Sequence, residues 1–187
     1  MSDLTRVLAR RRVPFGFACG ILVLWLAKPT GESLLWGSLV AGVGEALRIW
    51  AAGHLNKSRE VTSSGPYRWF AHPLYVGSSI MGAGLAIASG SLMVTALIAI
   101  YLLTTITAAI RSEEAFLRQT FGDQYDRYRH GSAAVRSDNQ SGRRFGLSQA
   151  LANREHRTIA GLAAAVLLLL LKATYNGLFW RTGAGHQ

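Results

Sequence analysis

Residues 64–77 read SGPYRWFAHPLYVG, and downstream stands a second polar cluster, Arg111-Ser112-Glu113-Glu114. The first stretch breaks the chain at Gly65-Pro66, offers Arg68 and His72, breaks it again at Pro73 and then opens an apolar run. The acidic pair comes where the next apolar run ends. Titratable groups at the mouths of two neighbouring apolar segments are costly to keep there unless they serve a purpose. Their position points to ligand binding.

Working outward, the 187-residue chain is long enough for one domain. Half of it is apolar and only 16% is charged, well below the share usual in soluble domains. The apolar residues come in long blocks, so the expected fold is an all-α, integral membrane helical bundle. The net charge is +10. The basic residues flank the apolar blocks, so they point to membrane lipids as partner and away from nucleic acid. Cys19 stands alone, and one cysteine builds neither a disulfide framework nor a thiolate metal site.

Hydropathy predicts five spans, at about 13–27, 33–54, 73–88, 91–110 and 159–180. Arg6, Arg10, Arg11 and Arg12 precede the first, which lacks a small-residue cleavage site and reads as a retained span. Span two carries Glu45 and Arg48 at i,i+3, either a structural ion pair or part of a site. Gly90 allows a tight turn between spans three and four, which predicts a closely packed antiparallel hairpin. Gly77, Gly82 and Gly84 keep one side of span three thin.

Residues 111–128 are charged and carry an apolar stripe at Leu117, Phe121, Tyr125 and Tyr128. This predicts a cytosolic interfacial helix on the membrane surface, broken at Gly122. Residues 129–158 read as a loosely ordered loop, with a short helix from Leu147. The arginine-rich connections all fall on one side of a five-span bundle, and that side is the cytoplasmic one. The N-terminus and both polar clusters lie on it. No internal repeat is apparent.

At this cytoplasmic mouth Arg68, His72 and Arg111 are donors, Glu113 and Glu114 acceptors, and Tyr67, Tyr75, Tyr125 and Tyr128 can stack or hydrogen-bond. No His, Cys and carboxylate set has metal-ligand spacing, and no metal is expected. No Ser/His/Asp triad or phosphate loop stands out. A zwitterionic or adenosine-bearing ligand suits this mixture. Each group also has a bland reading: His72 as a helix-start residue, the glutamates as solvated charges near Arg111 and Arg118, and the tyrosines as packing. His54, at the end of span two, is a further candidate for the same pocket.

GPYRWFAHPLYVG, followed after a helical hairpin by EEAFLRQTFGDQYDRY, resembles the isoprenylcysteine carboxyl methyltransferase family and its relatives among phospholipid methyltransferases. GEALRIWAAGHLNKSREVTSSGPY, before it, is similar to bacterial members of that group. The resemblant core runs from about Gly44 to Tyr128. The resemblance implies a membrane enzyme that uses S-adenosylmethionine, bound by membrane-helix ends and a cytosolic C-terminal segment. It implies a single membrane methyltransferase-like domain over 1–187. Matched onto this chain, it assigns cofactor binding to Tyr67, His72, Pro73, Tyr75, Glu113 and Glu114. Arg68, Arg111 and Glu114 are the expected catalytic set. The family carries arginine directly before the histidine, where this chain has Ala71; Arg68 is the candidate substitute if it shares a helix face with His72. The implied acceptor is a carboxylate of a prenylcysteine-like or other lipophilic substrate. A phospholipid amine acceptor, and a non-catalytic protein that retained the fold, are the alternatives.

Overall fold

The computed structural model describes residues 20–56, 62, 64–123 and 144–177. Every regular element among them is helical. The end of a first helix, α1, covers residues 20–26. Then come α2 (Gly31–His54), a 3-10 turn (Gly65–Arg68), α3 (Pro73–Ser89), α4 (Leu92–Phe121), α5 (Leu147–Ala152) and α6 (Glu155–Tyr175). Helices α2, α4 and α6 are long and apolar enough to cross a membrane; α3 is a shorter apolar helix. At 1.5 Å per residue its 17 residues span about 25 Å, somewhat less than a hydrocarbon core. Residues 13–19 of the expected first span, Cys19 among them, lie outside the described residues, as do the N-terminal arginines.

The helix ends follow from local chemistry. Thr30 and Ser33 form a reciprocal capping box at the start of α2, two residues before the expected boundary. Pro73 occupies the first turn of α3, where its missing N–H is harmless. Gly90 ends α3 in the left-handed conformation, φ 59°. Its Cα lies so near the Lys28 carbonyl that an added Cβ would sit 2.4 Å from that oxygen. The Lys28 N–H donates to the Ser89 carbonyl at 2.7 Å. The 27–30 and 89–91 turns therefore meet at one end of the bundle, and Lys172 of α6 ties in the end of α1 by donating to the Leu24 and Trp25 carbonyls. An apolar cluster of Ala27, Leu34, Ala88, Val94, Leu169 and Ala173 fills that end.

The tightest packing is between α2 and α3, not within the α3–α4 hairpin. Gly37, Ala41, Gly44 and Arg48 on α2 face Ala88, Gly84, Met81 and Gly77 on α3, running antiparallel. A Cβ on Gly44 would stand 2.4 Å from the Met81 nitrogen, and one on Gly84 2.3 Å from the Ala41 nitrogen. The two main chains touch, which only small residues allow. Gly82 alone of the three α3 glycines turns to α4, against Leu102.

The expected separate interfacial helix is not found between residues 111 and 121. Leu92–Phe121 is one uninterrupted 30-residue helix, because no glycine or proline interrupts it before Gly122. Its length, about 45 Å, exceeds the hydrocarbon thickness by roughly ten residues, so its charged end projects from the membrane as the continuation of the span. Gly122 does end it, at φ 46°. Tyr125, Tyr128 and residues 129–143 of the expected 129–158 loop fall outside the described residues. The short helix expected from Leu147 is present, and α6 begins at Glu155, four residues before the expected span.

Candidate functional site

Pro73 sets the geometry of the first cluster. The residue before a proline is pushed out of the helical region, and His72 accordingly sits at φ −134°, ψ 64° as the N-cap of α3. Its side chain is free of its own helix and turns to α4. There Nε2 lies 3.4 Å from Glu114 Oε1, and Nδ1 lies 3.9 Å from Glu113 Oε2. One imidazole is thus flanked by two consecutive carboxylates of the neighbouring helix. Tyr75, one turn into α3, stacks obliquely on His72 with ring centroids 5.8 Å apart. The Glu113 carboxylate is the charged group that acts most strongly on the Tyr75 hydroxyl. His72 and Glu114 are mostly shielded, at 15% and 16% side-chain exposure, while Glu113 is open at 41%.

The trio carries surplus negative charge whether the imidazole is protonated or not. Such a cluster, exposed on the Glu113 side, suits a cationic group such as a sulfonium or ammonium. The two carboxylates address opposite edges of the ring, so their oxygens do not converge on one point. Among the described residues no group of three or more His, Cys, Asp or Glu side chains can hold a metal ion.

The remaining expected residues are placed as follows. Tyr67 and Pro73 are buried. Arg68 and Arg111 are exposed, and among the described residues neither bonds to His72, Glu113 or Glu114. Arg68 ends a separate 3-10 turn, and Trp69 to Ala71 intervene before α3 starts. It therefore does not share a helix face with His72. His54 is buried elsewhere, under the Gly65 turn: Ser64 Oγ is 3.4 Å from its Nδ1, and Phe145 packs 6.3 Å away, centroid to centroid.

Sequence reasoning missed a second polar centre on the far side of α3. The expected Glu45–Arg48 ion pair is present, Oε2 to Nε at 3.6 Å, though it carries no hydrogen bond. Arg48 Nη2 instead donates to both oxygens of Glu155 on α6, at 3.0 and 3.1 Å. Nη1 donates to the Leu74 carbonyl at 3.3 Å and to Ser78 Oγ. A carboxylate at the head of the last apolar run was the available signal. The segment before it caps α2: Gly146 N–H donates to Gly53, Gln149 to Leu55, and Asn153 to Ala52 and Leu55. These satisfy carbonyls that a helix end leaves open. Between α5 and α6 the chain accepts a left-handed Arg154, φ 66°, at about 1–2 kcal/mol.

A surface depression lies away from these groups. It is an apolar groove between α1 and α6, bordered by Ile21, Trp25, Leu168 and Tyr175, at the Lys172 end. It has no part in the site.

Residues 35–124 match the family model for phospholipid methyltransferases, and they contain α2 almost whole, the 3-10 turn, α3 and α4 with both polar clusters. Within that stretch, just under half of the chain, the sequence is similar to phospholipid methyltransferases. The chain is 32% identical over 95 residues to the protein-S-isoprenylcysteine O-methyltransferase of Schizosaccharomyces pombe, covering 51% of this chain and 40% of the relative. It is 34% identical over 90 residues to the cobalt-zinc-cadmium resistance protein CzcN of Cupriavidus metallidurans, covering 47% and 42%. It is 33% identical over 106 residues to the nickel-cobalt-cadmium resistance protein NccN of Alcaligenes xylosoxydans xylosoxydans, covering 56% and 48%. The chain thus spans less than half the length of these relatives. No solved structure matches it. The matched stretch contains His72, Pro73, Tyr75 and the Glu113-Glu114 pair, the residues on which the resemblance was read.

Proposed function

We propose that this chain is an S-adenosylmethionine-dependent methyltransferase acting at the cytoplasmic face of a membrane, and that residues 1–187 form one such domain around the 44–128 core. The observation that carries the reading is the His72 imidazole flanked by Glu113 and Glu114 at the polar end of two apolar helices. The similarity to phospholipid methyltransferases and the isoprenylcysteine methyltransferase relative support methyl transfer.

S-adenosylmethionine, when bound, supplies an activated methyl group on a sulfonium cation. The residues present fit such a ligand. Glu113, open to solvent, is placed to take its amino group or ribose hydroxyls. Glu114 adds negative charge beside the sulfonium. His72 holds the two carboxylates apart, and Tyr75 offers a ring face. Tyr67 and Pro73, both buried, complete the proposed cofactor-binding set.

The acceptor we favour is a carboxylate on a lipophilic molecule such as a prenylated cysteine. A carboxylate is ionised at neutral pH and needs no general base. Arg68 and Arg111 are the exposed cations at the mouth to receive it, with Ala71 removing the one the family carries. Helix ends that exclude water favour a reaction in which opposite charges cancel, and orientation supplies much of the rest. A phospholipid amine would first have to lose a proton.

Equilibrium binding of S-adenosylmethionine to the purified protein in detergent tests the reading. His72→Ala and Glu113→Ala should each weaken binding by about tenfold or more, as expected for a charge-assisted contact. Arg144→Ala, an exposed arginine away from the trio, should leave it unchanged. No binding by the wild type, or equal effects of all three variants, would remove the assignment. Turnover of a prenylcysteine against a lipid amine then separates the acceptors.

A further inference from the structure

We propose that Arg48 is a positioning residue for the methyl-transfer site, holding the first turn of α3 in register through a tether to Glu155 of α6. The proposal rests on the methyltransferase reading above. It adds to the site a residue that touches none of the proposed ligand contacts.

The guanidinium joins three helices. It starts on α2, reaches the Leu74 carbonyl and Ser78 on α3, and ends on Glu155 and Thr158 of α6. Leu74 lies between His72 and Tyr75, so the atom that Arg48 holds is in the turn that aims both site side chains at α4. Ser78 Oγ donates to the same carbonyl at 2.9 Å, which makes it a doubly held point. The aliphatic stem of Arg48 packs on Gly77, where a Cβ would meet its Cγ at 2.6 Å. No other α3 residue type leaves room for it. The anchor at the far end is firm: Glu155 is 5% exposed, and the left-handed Arg154 delivers it while Asn153 bonds α2.

The cluster is also unbalanced. Glu45 is 5% exposed and both its carboxylate oxygens lack a hydrogen bond. Two buried carboxylates therefore share one guanidinium, and only Glu155 takes it with hydrogen bonds. An arrangement meant only to neutralise charge would not need the second carboxylate. The geometry favours the interhelical fork over the local pair, which is what a tether requires.

Three variants decide the matter, each read twice in detergent. One reading is the affinity for S-adenosylmethionine. The other is the imidazole nitrogen spectrum of protein labelled with ¹⁵N-histidine, with His72 assigned by its loss in His72→Gln. The triple variant Glu45→Leu/Arg48→Met/Glu155→Leu removes all three charges together, a replacement that buried ionic clusters tolerate. We expect it to keep its helical circular dichroism, bind about tenfold more weakly and shift the His72 signals. Glu155→Gln, which keeps the shape and one acceptor, should move both readings the same way by less. Glu45→Gln should move neither. His72 signals and affinity at wild-type values in a folded triple variant would overturn the proposal. If the triple variant does not fold, wild-type values in Glu155→Gln overturn it equally. A wild-type protein that fails to bind S-adenosylmethionine would sink the methyl-transfer reading, while the His72 spectrum still decides the tether.

Discussion

Gly44→Ala is the substitution for which the fold makes its sharpest quantitative demand. The added Cβ would stand 2.4 Å from the Met81 nitrogen, 2.6 Å from the Gly77 oxygen and 2.9 Å from the Met81 Cα. All three obstacles are main-chain atoms of α3, so no side-chain rotation relieves them. Ordinary contact begins at 3.4 Å, and the helices must part locally by about 1 Å. Overpacking of a fitted interface costs about 1–3 kcal/mol, and an immovable backbone places this case near the top of the range. Alanine returns about 1 kcal/mol of helix propensity, which leaves a net loss of about 2 kcal/mol. Gly42, two residues away on the same helix, has nothing within 4 Å of its would-be Cβ. Gly42→Ala should therefore gain the propensity and lose nothing, so the two variants should differ by about 3 kcal/mol. Reversible unfolding in mixed micelles by titration with sodium dodecyl sulfate, followed by circular dichroism, measures the difference. Equal stability of the two variants would mean that α2 and α3 do not meet along this seam, and the placing of His72 would fall with it.

Asn153→Ala should cost about 1–2 kcal/mol, because it strips the Ala52 carbonyl of its side-chain donor while Leu55 keeps Gln149; the same unfolding titration reads it, and an unchanged midpoint would count against the capping role. Gly90→Ala should cost more than Gly122→Ala. Both force alanine to positive φ, Gly90 in the left-handed region at about 1–2 kcal/mol, and only at Gly90 does the new Cβ also meet a carbonyl oxygen, that of Lys28 at 2.4 Å. Similar losses at the two sites would contradict the joining of the 27–30 and 89–91 turns.

The pairing of His72 with Glu113 and Glu114 was legible because it depends on local punctuation. Pro73 fixes where α3 starts, Gly90 fixes where it turns back, and an antiparallel return then brings the charged end of α4 beside His72. The α2–α3 seam was written in the sequence too, as Gly37, Ala41, Gly44 and Arg48 repeating in step with Gly77, Met81, Gly84 and Ala88. The small α3 residues were noticed without their partners, so chain adjacency assigned the close packing to α4. Arg48 shows the limit of local reasoning. Its i,i+3 neighbour Glu45 is near it, yet the hydrogen bonds go to Glu155, 107 residues away. Spacing along one helix finds which charges can meet, but burial and third-helix geometry choose among them. The same holds for Arg68, whose helical relation to His72 required a helix that Pro73 forbids.

The family match ends at residue 124, but the physics of the fold does not. Within 35–124 lie Arg48, a mostly shielded cation among apolar helices, and the open carbonyls at the end of α2. Their hydrogen-bond partners are Glu155, Asn153, Gln149 and the Gly146 amide, all beyond the match. A buried guanidinium deprived of its carboxylate is strongly destabilising, more than the pair itself is worth. Residues 146–158 are therefore part of what lets the helices of 35–124 stand in lipid. Because Arg48 also holds Leu74, a change in this segment would be felt at His72 without touching it. Differences among relatives in this segment thus have a physical route to the site that runs through α2 and α3, separate from any contact with a ligand.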